Sequence, residues 1–449
     1  MSKNTSSKAR KPAPKVHFQS GAKGVTSQAG MVPVVRFWQH LGFDQLCEQH
    51  LDFERGANSR YSLADCLFMT VIGLVAGANS LVKVVAVWSD EVLRQVGGWL
   101  RLPDDSVVGR ILRSAQDRHI AQLEQLNHKA RHRVWNQALK TGALQAGQYV
   151  HSWIDVDSTV KTVYGTQHGA AKGYNPFKRG ALSYHPQVAF CCETKEILQA
   201  WLRAGNAHTS NGIVEFMRQL VGQLPNRMRI VLRADSGYFV GELLEWLDAH
   251  RHGYLIKVKL KGLNALLASQ CWRAVAHCPG WEQCEFRYRC GSWSRERRFV
   301  AVRRRKDPPS QPVQNSLFDE PDYEYFCYVT TERLTPWQAH KAYGQRATCE
   351  TWLDEAKNQM ALAHLKSDDF VASSLLFQAA VLAYNTVRWM ALLSQNASLK
   401  RWEIQTVRAY LIRSAGKLLS GGRQLRIKTP DKPLFESVWL AWQALASPG

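Results

Sequence analysis

Acidic residues are scarce in this chain and missing from its start: no Asp or Glu precedes Asp44, while Lys3, Lys8, Arg10, Lys11, Lys15, Lys23 and Arg36 do. Across 449 residues, 58 Lys and Arg stand against 37 Asp and Glu, a formal charge of +21. Such an excess attracts polyanions and makes nucleic acid the first candidate partner. The ten cysteines lack the paired short spacings of a zinc ribbon. Cys271, His277, Cys278, Cys284 and Cys290 lie close enough in sequence to raise the question of a metal, but the pattern reads as reduced, mostly buried thiols of a cytosolic protein. The first thirty residues have no apolar core, and the apolar run 66–78 is too short to span a bilayer, so a soluble, cytoplasmic chain is expected. No internal repeat is present.

The chain does hold an ordinary globular balance, 45% hydrophobic and 21% charged, enough for two or three domains with a sizeable core. Residues 1–30 read as a basic disordered arm. Helical periodicity follows over 31–146, a region expected to be helical and DNA-contacting. Alternation then takes over in YVHSWIDVDSTV. It places Trp153, Asp155 and Asp157 on one strand face and Ile154 and Val156 on the other. More strands, a helix from Asn211 and a buried strand ending at Asp235 predict an α/β fold built on a mixed sheet over 147–259. Short alternating segments around a polar loop at 307–321 make 260–334 a β-rich insertion. Helix resumes over 335–395, and 396–449 reads as a basic helical C-terminal segment. Two more stretches are poor in acid: 295–306 carries one among seven bases, and 408–428 carries none. With the net charge they favour phosphate contacts.

Three carboxylates stand where a metal site would want them: Asp157 and Asp235 at strand ends, and Glu350 on a predicted helix. Ligands gather at strand ends in open α/β sheets, and hard cations prefer carboxylate oxygens. Each acid alone would also suit a bland role, Asp157 and Asp235 as turn or cap residues and Glu350 as a surface glutamate. Asp155 is the rival within the site, sharing the face of Asp157. On the predicted helix, Tyr343, Arg346, Glu350 and Lys357 return to within about 60° of one another at roughly 100° per residue. That stripe joins one acid to phosphate-seeking groups. The opposite arc, Cys349, Trp352, Leu353, Ala356 and Met360, reads as buried.

The spacing Y-x2-R-x3-E-x6-K of Tyr343, Arg346, Glu350 and Lys357 resembles the signature of DDE transposases of bacterial insertion sequences, in the superfamily that includes the Tn-five transposase. The block DVDSTVKTVYGTQHGAAKGYNPFKRGALSYHP at 155–186, with RADSGYF at 233–239, resembles one subgroup of it. The resemblance implies a ribonuclease-H-like catalytic domain interrupted by a β-rich insertion, with Asp157, Asp235 and Glu350 as metal-binding triad. It also implies two Mg2+ ions, replaceable by Mn2+, and DNA phosphate contacts from Tyr343, Arg346 and Lys357. The partners implied are double-stranded DNA, as element ends and target, and a second copy of the chain in a homodimeric synaptic complex near a bacterial nucleoid. The implied reaction nicks each element end, forms and opens a hairpin, and transfers the end into target DNA. A non-transposing nuclease or resolvase on the same scaffold, and a catalytically silent DNA-binding relative, are the alternatives. Ala347 stands where some relatives place an aromatic, and Thr351 where others repeat an acid, which bears on base-stacking contacts. For an aromatic receiving a flipped base, the insertion offers Phe326 and Trp293.

Overall fold

In the computed structural model, placement is described for residues 15–446 apart from 55, 57–58, 146, 148–150, 177, 227, 307–322, 365–366, 422–423 and 432. Lys3, Lys8, Arg10 and Lys11 of the expected arm, the polar loop 307–321 and Arg423 therefore lie outside the described residues. The first layer is helical, with α1 (Met31–Leu41), α2 (Leu63–Ala76) and α3 (Asp117–Thr141) joined by shorter helices. Its boundaries follow from local chemistry. Ser62 Oγ accepts the Asp65 amide and the Asp65 carboxylate accepts the Ser62 amide, closing both ends of a capping box on α2. At the far end Gly77 takes φ 109° and donates its amide to the Leu74 carbonyl, and the Arg408 guanidinium donates to the carbonyls of Leu74 and Val75 at 2.6 and 2.8 Å.

The second layer is one nine-stranded mixed sheet. Its strands are β1 (His151–Ser158), β2 (Gln187–Cys191), β3 (Ile197–Trp201), β4 (Arg229–Ala234), β5 (Gly253–Lys257), β6 (Arg273–Ala274), β7 (Trp281–Tyr288), β8 (Arg297–Arg305) and β9 (Tyr323–Thr330). Across the sheet the order is β6-β7-β8-β9-β5-β4-β1-β2-β3. The pairs β1/β4 and β4/β5 are parallel, and the others are antiparallel. The β-rich region expected as an insertion thus extends the same sheet, through pairing of β9 with β5. Ile154 and Val156 enter the main core, as alternation requires, while Trp153 lies against a smaller cluster of Leu255, Val300, Tyr328 and Ala339 on the other side.

Through the main core runs α6 (Phe370–Leu393), after α4 (Pro336–Gly344), α5 (Ala347–Asp354) and a π-helical turn at Glu355–Gln359. α6 is long and apolar enough to cross a membrane, but here it is buried among α2, α3 and β3. Its polar residues close the sheet edge. The Asn385 amide accepts from Ile197 N–H and donates to its carbonyl, and Gln378 donates to the carbonyl of Ala200. The backbone of an edge strand, normally open to another chain, is thereby satisfied inside the fold.

Three expectations change. Tyr343 to Lys357 is not one helix: α4 ends at Gly344, i−3 bonds carry Arg346, Thr348 and Cys349, and the π turn holds Lys357. The C-terminal segment is not continuous helix; Gly416–Gly421 and Gln424–Lys428 form a β-hairpin before a last helix at Glu436–Ala444. Nor does the arm run to residue 30, since Val25–Thr26 is a strand paired with that hairpin.

Candidate active site

Register brings the two aspartates together. Val156 is the partner of Ala234 in the parallel pair β1/β4, so Asp157 and Asp235 follow at the same level on adjacent strands, at their C-terminal ends. Asp157 Oδ1 accepts the Ser158 amide at 2.9 Å. Asp235 caps the short 3-10 helix Ser236–Tyr238 through a 2.9 Å bond from the Gly237 amide. Gly237 fits closely there: a Cβ would sit 3.1 Å from both Asp235 Oδ1 and Thr209 Cγ2, so a larger residue would push on those side chains. For Asp235, the capping role that the sequence suggested coexists with its place in the site.

Glu350 arrives on α5, whose buried arc of Cys349, Trp352 and Leu353 continues through Ala356 and Met360. Arg346, at the N-terminus of α5, bridges the acids: Nη2 lies 2.9 Å from Asp157 Oδ2 and Nη1 3.1 Å from Glu350 Oε1. The Arg346 and Asp157 side chains are 9% and 15% exposed, whereas that of Glu350 is 64% exposed. The first ion pair is therefore poorly screened and the second largely solvated. Burial pushes the Asp157 carboxyl up to about 6, opposed by the Arg346 guanidinium and reinforced by the nearby charges of Asp235 and Glu350. Burial also raises Tyr343 to about 12, within the field of the same three acids and Arg346, and its ring lies 4.6 Å from that of Tyr328. The half-buried Lys357 ammonium is pulled down by burial and held up by Asp354 and Asp157. All six sequence-derived site residues thus enter one electrostatic neighbourhood.

The chemistry of the donor set, three carboxylates, fits a hard divalent cation. The cage itself is not closed: among the described residues no three His, Cys, Asp or Glu side chains gather tightly enough to hold a metal, and the Arg346 guanidinium stands between Asp157 and Glu350. The same holds for Cys271, His277, Cys278, Cys284 and Cys290; all ten cysteines are free.

Asp155 is excluded as a site acid. It is fully buried, and Arg233 holds both its oxygens at 2.6 and 2.7 Å while also donating to the carbonyl of Ala342 on α4. Arg233 is the supporting residue that sequence reading missed. It lies in RADSGYF, but only the parallel register, in which Asp155 faces Arg233, reveals its partner. Trp293 cannot receive a base, being buried against Phe239 and Phe299 under Arg297, whereas Phe326 is half-buried beside Trp281 and His340. Most of the basic stretch 295–306 is already paired: Arg295 and Arg297 with Asp248, Arg298 with Glu285, Arg303 with Glu282 and Arg304 with Glu324.

Acids at the tips of adjacent parallel strands, approached by a helix bearing Arg and Glu, form a charged site at the carboxyl edge of a mixed sheet, where open α/β sheets bind their ligands. The chain belongs to the family described as transposase DDE domain group 1, which matches residues 8–446. It is accordingly a DDE transposase, a DNA-cleaving enzyme of a family that depends on divalent metal. No curated protein matches the chain. Among solved structures it is similar to a chain of the piggyBac transposase synaptic complex with hairpin DNA, with 11% identity, coverage of 87% of this chain and 81% of that one, and a TM-score of 0.44.

Proposed function

We propose that this protein cuts double-stranded DNA at the terminal inverted repeats of a bacterial insertion sequence and joins the freed ends to target DNA, as a cytoplasmic, nucleoid-associated enzyme of the Tn-five superfamily. The observation that carries the reading is the joint placement of Asp157, Asp235 and Glu350 around Arg346 in a chain matched to the family over nearly its whole length. The strand order β3-β2-β1-β4-β5, with β2 antiparallel, supports a ribonuclease-H-like catalytic core, and β6 to β9 would be the insertion. Asp157, Asp235 and Glu350 would hold two Mg2+ ions, replaceable by Mn2+, which when bound activate the attacking water or 3′-hydroxyl and stabilise the leaving oxygen.

The protein's own groups have defined tasks. Arg346 leaves the carboxylates for a phosphate, to two of whose oxygens its planar fork donates two parallel hydrogen bonds. Tyr343 keeps its proton at neutral pH, since its pKa is near 12, and so serves as a hydrogen-bond donor to the backbone rather than as a base. Lys357 adds a point charge beside Asp157. Water as nucleophile gives a nick; a 3′-hydroxyl gives a hairpin or a joined strand. Holding two ends calls for a dimer or larger assembly, and a homodimer is the expected form.

The test is a supercoiled plasmid carrying the DNA that flanks this gene, incubated with the protein and Mg2+. Cleavage at inverted repeats and joined products are expected. Asp235→Asn should abolish both while leaving duplex binding intact. Unchanged cutting by that variant removes the assignment, and cutting without joined products points to the nuclease alternative.

A further inference from the structure

Basic segments from the two ends of the chain meet in a sheet of their own. Its strand order is Val25–Thr26, Gly416–Gly421, Gln424–Lys428, and it packs on the helix Glu91–Val96 rather than on the nine-stranded sheet. Lys417 is the direct cross-strand partner of both Val25 and Lys428, and Leu419 is the partner of Arg426. Lys417, Arg426 and Lys428 therefore share one face, and all three are exposed. Leu418 and Ile427 alternate to the other face and are half-buried. Like charges directly opposite in a sheet destabilise it, so the Lys417/Lys428 pair is a cost that folding alone does not explain. No acid occurs in the sequence between Glu403 and Asp431 to relieve it. The nearest acids on the packed element lie against the outer strand and are engaged there, Asp90 accepting from Thr26 and capping its own helix and Glu91 accepting the Gly24 amide, and among the described residues neither forms an ion pair with Lys417, Arg426 or Lys428. Lys23 is exposed next to the outer strand. By contrast, the arginines at 295, 297, 298, 303 and 304 of the expected insertion are each paired with a neighbouring carboxylate.

We propose that this small sheet is a DNA-docking surface distinct from the acidic site, on which Lys417, Arg426 and Lys428, with Lys23 beside them, take phosphates of duplex DNA without reading its sequence. The identity of the partner rests on the transposase reading above. Since a tight phosphate contact releases about 0.9 counterion, each lost contact flattens the dependence of log affinity on log salt by about that amount.

The experiment is fluorescence anisotropy of a labelled random-sequence duplex in EDTA over a salt series, using the full chain, the variant K417Q/R426Q/K428Q and the charge-keeping variant K417R/K428R. The surface predicts that the Gln variant flattens the salt slope by roughly 2–3 and binds more weakly at low salt, while the Arg variant follows the parent. The Gln variant should melt at or above the parent's temperature, because the opposed charges are gone. If that variant fails to fold, Arg426→Gln alone decides, with an expected change of slope of about 1. Superimposable curves for the parent and the Gln variant overturn the docking surface and leave the transposase reading standing. A parent that binds no duplex at any salt overturns both.

Discussion

Glu124 on α3 sits under the Gln378 amide of α6, and burial pushes its carboxyl up to about 7. The folded state therefore binds this proton more tightly than the unfolded chain does. Its stabilising contribution is complete below about pH 4.5 and is lost as pH rises through 7, on the order of 3 kcal/mol at most. Glu124→Gln should unfold with the parent at pH 4 and later than the parent at pH 8 in paired thermal melts; equal midpoints at pH 8 would contradict the shift. Asp155 poses the opposite case. Asp155→Asn strips a buried guanidinium of its charge partner, and urea unfolding should show a loss of about 3–5 kcal/mol. A loss under 1 kcal/mol would mean that Arg233 is not held as described. Asp155 and Asp157 were indistinguishable in sequence because alternation with period two puts both on one face. The parallel register separates them, giving Asp155 an arginine across the ladder and Asp157 the open strand tip, and register is a long-range property that no local window carries.

The elements around the acids were legible wherever one periodicity ran unbroken. β1, β4 and the buried arc of α5 follow from alternation and from the 3.6-residue repeat. The stripe from Tyr343 to Lys357 met its expected neighbours although its helix did not survive. A tight i−3 junction and a wider π turn change the winding locally, and composition does not announce either. Gly344 marks the junction, as a poor helix former followed by the new turn. A Cβ there meets open space, so Gly344→Ala should raise stability by about 0.5–1 kcal/mol in chemical denaturation; a decrease would show that the break depends on a backbone only glycine accepts. The C-terminal hairpin was missed for a different reason. Its signal, Gly421 and Gly422 followed by the alternating run QLRIK, is present in the sequence, but the basic run drew the reading toward helix.

At the scale of the whole molecule, α6 joins the helical layer to the sheet. Trp389 of α6 donates to Glu196 at 2.6 Å, and Arg131 and Trp135 of α3 reach the same carboxylate at 3.1 and 2.6 Å. The residues of this buried knot gave no functional signal in sequence because burial alone creates their role. Glu196→Gln keeps the shape but removes the charge facing Arg131; it should lower the thermal midpoint of the full chain and leave duplex binding near that of the parent. Under the proposed function, Asp157, Asp235 and Glu350 would take up divalent ions together once Arg346 withdraws to the DNA. The most direct measurement is Mn2+ titration followed by electron paramagnetic resonance on the parent, Asp157→Asn, Asp235→Asn and Glu350→Gln. The account predicts that the parent takes up Mn2+ and that each substitution removes or sharply weakens that uptake. Parent-like binding in all three variants, or a parent that binds no Mn2+ even with duplex present, would contradict it.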